Sequence, residues 1–335
     1  MKRFILKVLL YSAPIFIPIL AFLCFINPYL HGDMGVLGYI TFPIDYGKYN
    51  DYVENKVINC GYDNVFDDSC IFVIGDSFSQ TKGNVISYTH YLAEDLENVV
   101  VNLYQEWYKN PLDRFLYMSK TQNLPRIVIV EMVERMFVSH VMNMDLSLSA
   151  EKMLEIQKVD TTAEYKSTSK TLLEKVQEWS KREMSIMGFE SPIKECILSK
   201  PCFTCQDKEQ HLYFYMDDIQ NTNVNDSLID IVIRKMDDLF CYSKALGVEL
   251  YILIAADKYD VYQDYILDNV YPAQNILDDF SARYNNSYLI NSKDTLSQMV
   301  ANDIKDVYWC NDTHWSPIGS KAVARQIINI IDKGR

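Results

Sequence analysis

Two short segments at opposite ends of the chain hold the residue types needed for nucleophilic acyl transfer. Gly75-Asp76-Ser77-Phe78-Ser79 supplies a serine, and Asp312-Thr313-His314-Trp315 supplies a carboxylate and an imidazole. Serine is a weak nucleophile until a neighbouring base takes its proton, and histidine is the usual base. Residues two apart in an extended or loop segment point to the same side, so Asp312 is spaced to accept the Nδ1 proton of His314. That would leave Nε2 facing a serine hydroxyl. Of the five histidines, His31, His90, His140 and His211 have no such surroundings and read as surface or packing residues.

These groups need elements to hold them. Ser77 follows the apolar run Cys70-Ile71-Phe72-Val73-Ile74, which reads as a buried strand. The carboxyl ends of strands are where open α/β sheets place their chemistry. After His314, Ser316 is a good N-cap and Pro317 a good first helical residue, with Val323, Ile327 and Ile330 forming an apolar face. Between the two segments, patterning predicts strands at 71–75, 98–103, 126–131, 248–254 and 287–290. Predicted helices cover 87–96, 111–119, 225–246 (closed by Gly247), 274–284 and 295–302. Strand and helix alternate, which predicts an α/β fold with a doubly wound parallel sheet flanked by helices. The polar, helix-forming stretch from Ser147 to Met187 marks a helical insertion at about 145–222. Residues 29–69 read as an irregular neck, and 70–335 as the domain proper.

At the N-terminus, Lys2, Arg3 and Lys7 precede an uncharged run from Val8 to Ile26. Its length is close to the roughly 20 residues that cross a bilayer. Pro14 and Pro18 within it are tolerated in such helices. Residues 1–28 are therefore expected to form an uncleaved transmembrane anchor, with the basic end cytoplasmic and the remainder outside the cytoplasm. The rival reading is a cleaved signal peptide. The formal net charge of −13 excludes a nucleic-acid partner, whose binding depends on basic surface.

Outside the anchor stand Cys60, Cys70, Cys196, Cys202, Cys205, Cys241 and Cys310. An oxidising compartment permits disulfides, but their connectivity is not written in a sequence. Cys202-Phe203-Thr204-Cys205 is a lone C-x-x-C with no second ligand pair, so no metal is expected, and no motif calls for a cofactor.

Four stretches together resemble the SGNH (GDSL-like) hydrolase superfamily, and within it the alginate O-acetyltransferase branch (AlgJ/AlgX-like). They are Gly75–Gln80, Pro125–Phe137, Leu253–Ile266 and Asp312–Ala324. The Asp-x-His-Trp block follows the serine block here, as in ordinary SGNH enzymes. The glycine and asparagine blocks that complete an SGNH oxyanion hole have no obvious counterpart. Asn102, Gln105 and Arg135 are the candidates, beside the Ser77 N–H. Glu131 and Glu134 stand near Arg135 as possible holders of its guanidinium, the alternative being a structural ion pair. Lys258 and Tyr262 are candidates for sugar or donor contacts, or for packing. Trp315 either stacks on a sugar ring or locks the loop.

The resemblance implies an extracytoplasmic polysaccharide O-acetyltransferase working through an acetyl-serine. Its partners would be a polysaccharide acceptor and a membrane-bound O-acyltransferase that hands acetyl across the membrane. The rivals are an extracytoplasmic carbohydrate acetylesterase, with the same triad giving acetyl to water, and a non-catalytic glycan-binding assembly protein.

Overall fold

The computed structural model describes residues 57–60, 70–80, 86–96, 99–103, 110–157 and 191–334, together with Pro14, Phe16 and Met34. Apart from those three residues and 57–60, the expected anchor and neck lie outside the described residues, as do 158–190 of the expected insertion. No described helix is long and apolar enough to cross a membrane.

The described residues form eight strands: β1 (Val57–Cys60), β2 (Ile71–Ile74), β3 (Val100–Leu103), β4 (Ile127–Val133), β5 (Ile193–Ile197), β6 (His211–Tyr215), β7 (Glu249–Ala255) and β8 (Leu289–Asn291). Six of them make one parallel sheet in the order β1-β3-β2-β4-β7-β8. Ile71 of β2 stands opposite Val100 on one side and Ile127 on the other. Every residue of β2, β3 and β4 is buried. Uninterrupted apolar runs of this kind are what a parallel sheet covered on both faces requires.

The α-helices among the described residues are α1 (Tyr88–Asp95), α2 (Pro111–Thr121), α3 (Glu134–Asn143), α4 (Ala150–Gln157), α5 (Asp226–Ala245), α6 (Lys258–Tyr262), α7 (Ile276–Arg283), α8 (Ser292–Ala301) and α9 (Pro317–Gly334). Helices α1, α8 and α9 pack together on one face, while α2, α3 and α5 cover the other. Right-handed crossovers dictate this division, because the chain leaves β2 toward β3 and then returns past it to β4. The reversal makes the carboxyl end of β2 a topological switch point, where open sheets leave a crevice.

Local chemistry explains the boundaries. Asn110 accepts from the Leu112 N–H at 3.0 Å and precedes Pro111, so α2 starts there. Asn225 caps α5 through the Leu228 N–H at 2.9 Å, and Gly247 (φ +75°) ends it in the left-handed region that other residues avoid.

Two expectations are corrected. The neck is not wholly irregular, since β1 adds a sixth strand to the sheet beside β3. The insertion at 145–222 is not purely helical either. Alongside α4 it contains the antiparallel pair β5–β6, with Ile193 opposite Tyr215. Alternation in Ile193–Ile197 (buried, half-buried, exposed) carries that strand signal, but in a polar setting it is faint.

Candidate active site

Ser77 sits on a turn immediately beyond β2, where the Ser79 N–H donates to the Asp76 carbonyl at 3.2 Å. The turn is tightly fastened. Asp76 Oδ1 accepts from the Phe78 N–H at 2.9 Å, and Asp76 Oδ2 accepts from the Val133 N–H at 3.1 Å at the end of β4. In return the Asp76 N–H donates to Glu131 Oε2 at 2.8 Å, and Ser79 Oγ donates to the same oxygen at 2.8 Å. Tyr88 Oη lies 2.9 Å from Ser79 Oγ. Gly75 has no room for a side chain: a Cβ there would lie 2.0 Å from Ser79 Oγ and 2.7 Å from Glu131 Oε2. The serine block thus bridges β2 and β4 at the switch point.

The histidine arrives from the other end of the chain. Its loop is closed by an isolated antiparallel bridge between Tyr308 and Trp315. Ser316 Oγ accepts from the Ile318 N–H at 3.0 Å, which confirms it as the cap of α9. Gly319 permits close approach, since a Cβ would meet the Val307 carbonyl oxygen at 2.3 Å. His314 Nε2 lies 2.6 Å from Ser77 Oγ, and His314 Nδ1 lies 2.5 Å from Asp312 Oδ1. The His314 N–H also donates to Asp312 Oδ1 at 3.0 Å, fixing the carboxylate against its own loop. Phe78 packs at 4.8 Å from the His314 ring and at 4.7 Å from the Trp315 ring. Ser77, His314 and Asp312 are partly open to solvent. One hydroxyl, one imidazole and one carboxylate therefore form a continuous chain in a site that substrate can reach.

Other candidates have different places. Asn102 is buried and donates from Nδ2 to the Ser79 carbonyl at 3.0 Å, so it supports the turn. Gln105 lies outside the described residues. Arg135 is gripped by carboxylates that sequence reading did not pair with it. Its Nη1 bonds Asp257 Oδ1 and also Asp218 Oδ1 (3.2 Å), and its N–H donates to Asp257 Oδ2 at 2.9 Å. Burial alone would lower its pKa, but Asp257, Asp218 and Asp76 outweigh that and hold it above the ordinary arginine value. Neither Glu131 nor Glu134 holds it: Glu131 serves the serine turn, and Glu134 Oε2 accepts from the Asp257 N–H at 2.8 Å.

Lys258 does not face a substrate. It is buried, and its ammonium donates to the carbonyls of Trp309 (2.7 Å), Cys310 (3.0 Å) and Asp312 (3.3 Å). Tyr262 is buried against Phe203 and Tyr308 and accepts from the Tyr308 N–H at 3.4 Å. Trp315 is only 2% exposed, wedged between Phe78 and Tyr88, so it locks the loop and offers no face to a sugar.

The residue that sequence reading undervalued is Glu131. Burial, and next the Asp76 carboxylate, push its pKa well up, and it sits under the nucleophile turn as the acceptor of two hydrogen bonds. One signal was available: an acidic residue inside the otherwise apolar strand Ile127–Val133. Among the described residues no group of histidine, cysteine and acidic side chains is arranged to hold a metal.

A comparison with curated proteins gives no match. Residues 210–334, which run from the end of the β5–β6 connection through α9 and carry Asp312 and His314 but not Ser77, match the family model of the SGNH hydrolase-like domain of acetyltransferase AlgX.

Proposed function

We propose that this protein is an extracytoplasmic polysaccharide O-acetyltransferase that works through an acetyl-Ser77 intermediate. The observation that carries the reading is the contact chain from Ser77 Oγ through the His314 ring to Asp312. Ser77 Oγ attacks the acetyl carbonyl carbon while its proton passes to His314 Nε2. Asp312 stabilises the imidazolium through Nδ1–H. The bond to the donor oxygen breaks, and that oxygen leaves with the proton from His314. A sugar hydroxyl then attacks the acetyl-serine, gives its proton to His314, and releases Ser77 with its hydrogen restored. Oxyanion stabilisation is assigned first to the Ser77 N–H, the backbone donor of the nucleophile itself.

The match to an acetyltransferase domain supports acyl transfer over other serine chemistry. The apolar run Val8–Ile26 supports a membrane anchor and an extracytoplasmic catalytic domain. The acetyl donor in this reading is a membrane-bound O-acyltransferase partner, and the acceptor is an emerging glycan.

The test uses purified full-length protein and a chromogenic acetyl ester. The expected result is an acetyl adduct on Ser77 that added acceptor oligosaccharide discharges faster than water does. Adduct that water clears equally fast replaces the transferase with an acetylesterase. If no adduct forms on Ser77, and Ser77→Ala supports normal glycan acetylation in cells, the catalytic reading is lost to an assembly role.

A further inference from the structure

The lone C-x-x-C of the sequence does not pair with itself in the fold. Residues 202–205 lie in the connection between β5 and β6, and that connection is laid against the segment leading into the catalytic loop. The Asp306 N–H donates to the Cys202 carbonyl at 2.8 Å. Asp306 in turn accepts from the Thr204 N–H at 2.8 Å and from Thr204 Oγ1 at 2.6 Å. The connection is itself held in shape, with the Lys208 N–H donating to the Cys205 carbonyl at 3.0 Å and the Cys202 N–H to the Glu209 carbonyl at 2.9 Å. This arrangement brings the Cys205 side chain beside that of Cys310, two residues before Asp312. Lys258 holds the Cys310 carbonyl at 3.0 Å, and its ammonium lies 5.1 Å from the centre of the Phe203 ring in the same connection.

We propose that Cys205 and Cys310 are the two halves of a disulfide that fastens the β5–β6 connection to the loop carrying Asp312 and His314.

The surroundings assign a role to each sulfur. Cys205 is half-buried and Cys310 is buried. The hydrogen bond from the Cys310 thiol lowers the pKa of Cys205, and the Lys258 ammonium pushes the same way. That bond, together with burial, raises the pKa of Cys310. Cys202 is inert by comparison, buried and pushed up to about 11. So the Cys205 thiolate attacks one sulfur of a small disulfide oxidant such as glutathione disulfide, and one glutathione thiolate leaves. Cys310 then loses its proton and attacks the Cys205 sulfur of the mixed disulfide, and the second glutathione leaves. Two protein thiols are oxidised by two electrons, and one glutathione disulfide is reduced to two thiols. In the cell this step rests on the extracytoplasmic placement proposed above, because only an oxidising compartment keeps such bonds formed.

The experiment incubates the full-length protein with glutathione disulfide, blocks remaining thiols with iodoacetamide, and maps peptides without reductant. The expected product is a Cys205–Cys310 cross-linked peptide that reductant abolishes. The melting temperature of the oxidised protein should exceed that of the reduced protein by several degrees, on the order of 5–10 °C for so long a closed loop. Cys202→Ser should leave both results in place, while Cys205→Ser and Cys310→Ser should each remove them. Ser77→Ala should form the same cross-link, so failure of the acyl-transfer reading leaves this outcome untouched. Alkylation of both Cys205 and Cys310 after oxidation, or capture of Cys205 by Cys202, would overturn the proposal. The wild-type peptide map decides the matter even where a cysteine variant fails to fold.

Discussion

The ammonium of Lys258 lies 2.7 Å from the carbonyl oxygen of Trp309, and from there it also reaches the carbonyls of Cys310 and Asp312. Lys258 is the first residue of α6, just past the carboxyl end of β7. One side chain therefore ties the rigid sheet to the loop that presents Asp312 and His314. A cation buried among three carbonyl dipoles and over the Phe203 ring (5.1 Å) is a clamp on geometry.

Removing that clamp should slow the chemistry more than it weakens binding. Lys258→Met is expected to lower kcat by roughly 10-fold or more, since misplacing a catalytic group by about 1 Å can cost 10²-fold. KM for a small acetyl ester should stay near the wild-type value. Steady-state kinetics check this, and an unchanged kcat would show that the other loop contacts suffice.

The triad itself predicts a steep loss. Ser77→Ala and His314→Ala should each reduce ester turnover by roughly 10³-fold or more, with unaltered far-UV circular dichroism. Asp312→Asn should also cost on the order of 10³-fold or more, because the amide favours the wrong imidazole tautomer. The double variant Ser77→Ala/His314→Ala should be little worse than either single one. Losses that simply multiply would mean that the two residues do not act as a unit.

Glu131 offers a sharper comparison. Its Oε2 accepts from the Asp76 N–H and from Ser79 Oγ, and burial pushes its pKa up. Glu131→Gln retains an acceptor oxygen for both donors, so activity should stay within several-fold of wild type. Glu131→Leu leaves the buried Asp76 N–H without its acceptor, at a cost of about 1–3 kcal/mol, and takes one acceptor from Ser79 Oγ, so it should depress both the melting temperature and turnover. Equal damage from the two substitutions would show that the acceptor oxygen is not what the turn requires.

Asp113 supplies a pH-dependence. It stands in the first turn of α2, and burial, followed by the nearby Asp145, raises its pKa to about 6 from an ordinary 3.8. The folded state therefore binds more protons than the unfolded one between those values. The associated stability is present at low pH and is lost as pH rises through about 6. Asp113→Asn removes this loss. Its melting temperature should exceed that of wild type by roughly 2–4 °C at pH 7, and the difference should vanish below pH 4. Melting curves at the two pH values test the sign directly.

The sequence alone determined five of the parallel strands and the helices alternating with most of them, the capped start of α9 at Ser316, the end of α5 at Gly247, and the three residues that meet in the site. Those signals are local: apolar period, cap chemistry and a two-residue spacing act within a few positions of the chain. They were also strong enough to support the family resemblance that the match at 210–334 later bore out. What tertiary structure decided was where every charged and aromatic candidate points. Lys258, past the end of a strand, and Trp315, beside the base, could each be read as a substrate contact or as packing, and the fold turns both inward, one onto backbone carbonyls and the other between Phe78 and Tyr88. The partners of Arg135 are Asp218 and Asp257, far from it in the chain, and the thiol that meets Cys205 is Cys310 rather than Cys202. Such pairings depend on which strand edges and loops a parallel sheet brings together, and crossover connections place them at sequence distances over which no periodicity extends.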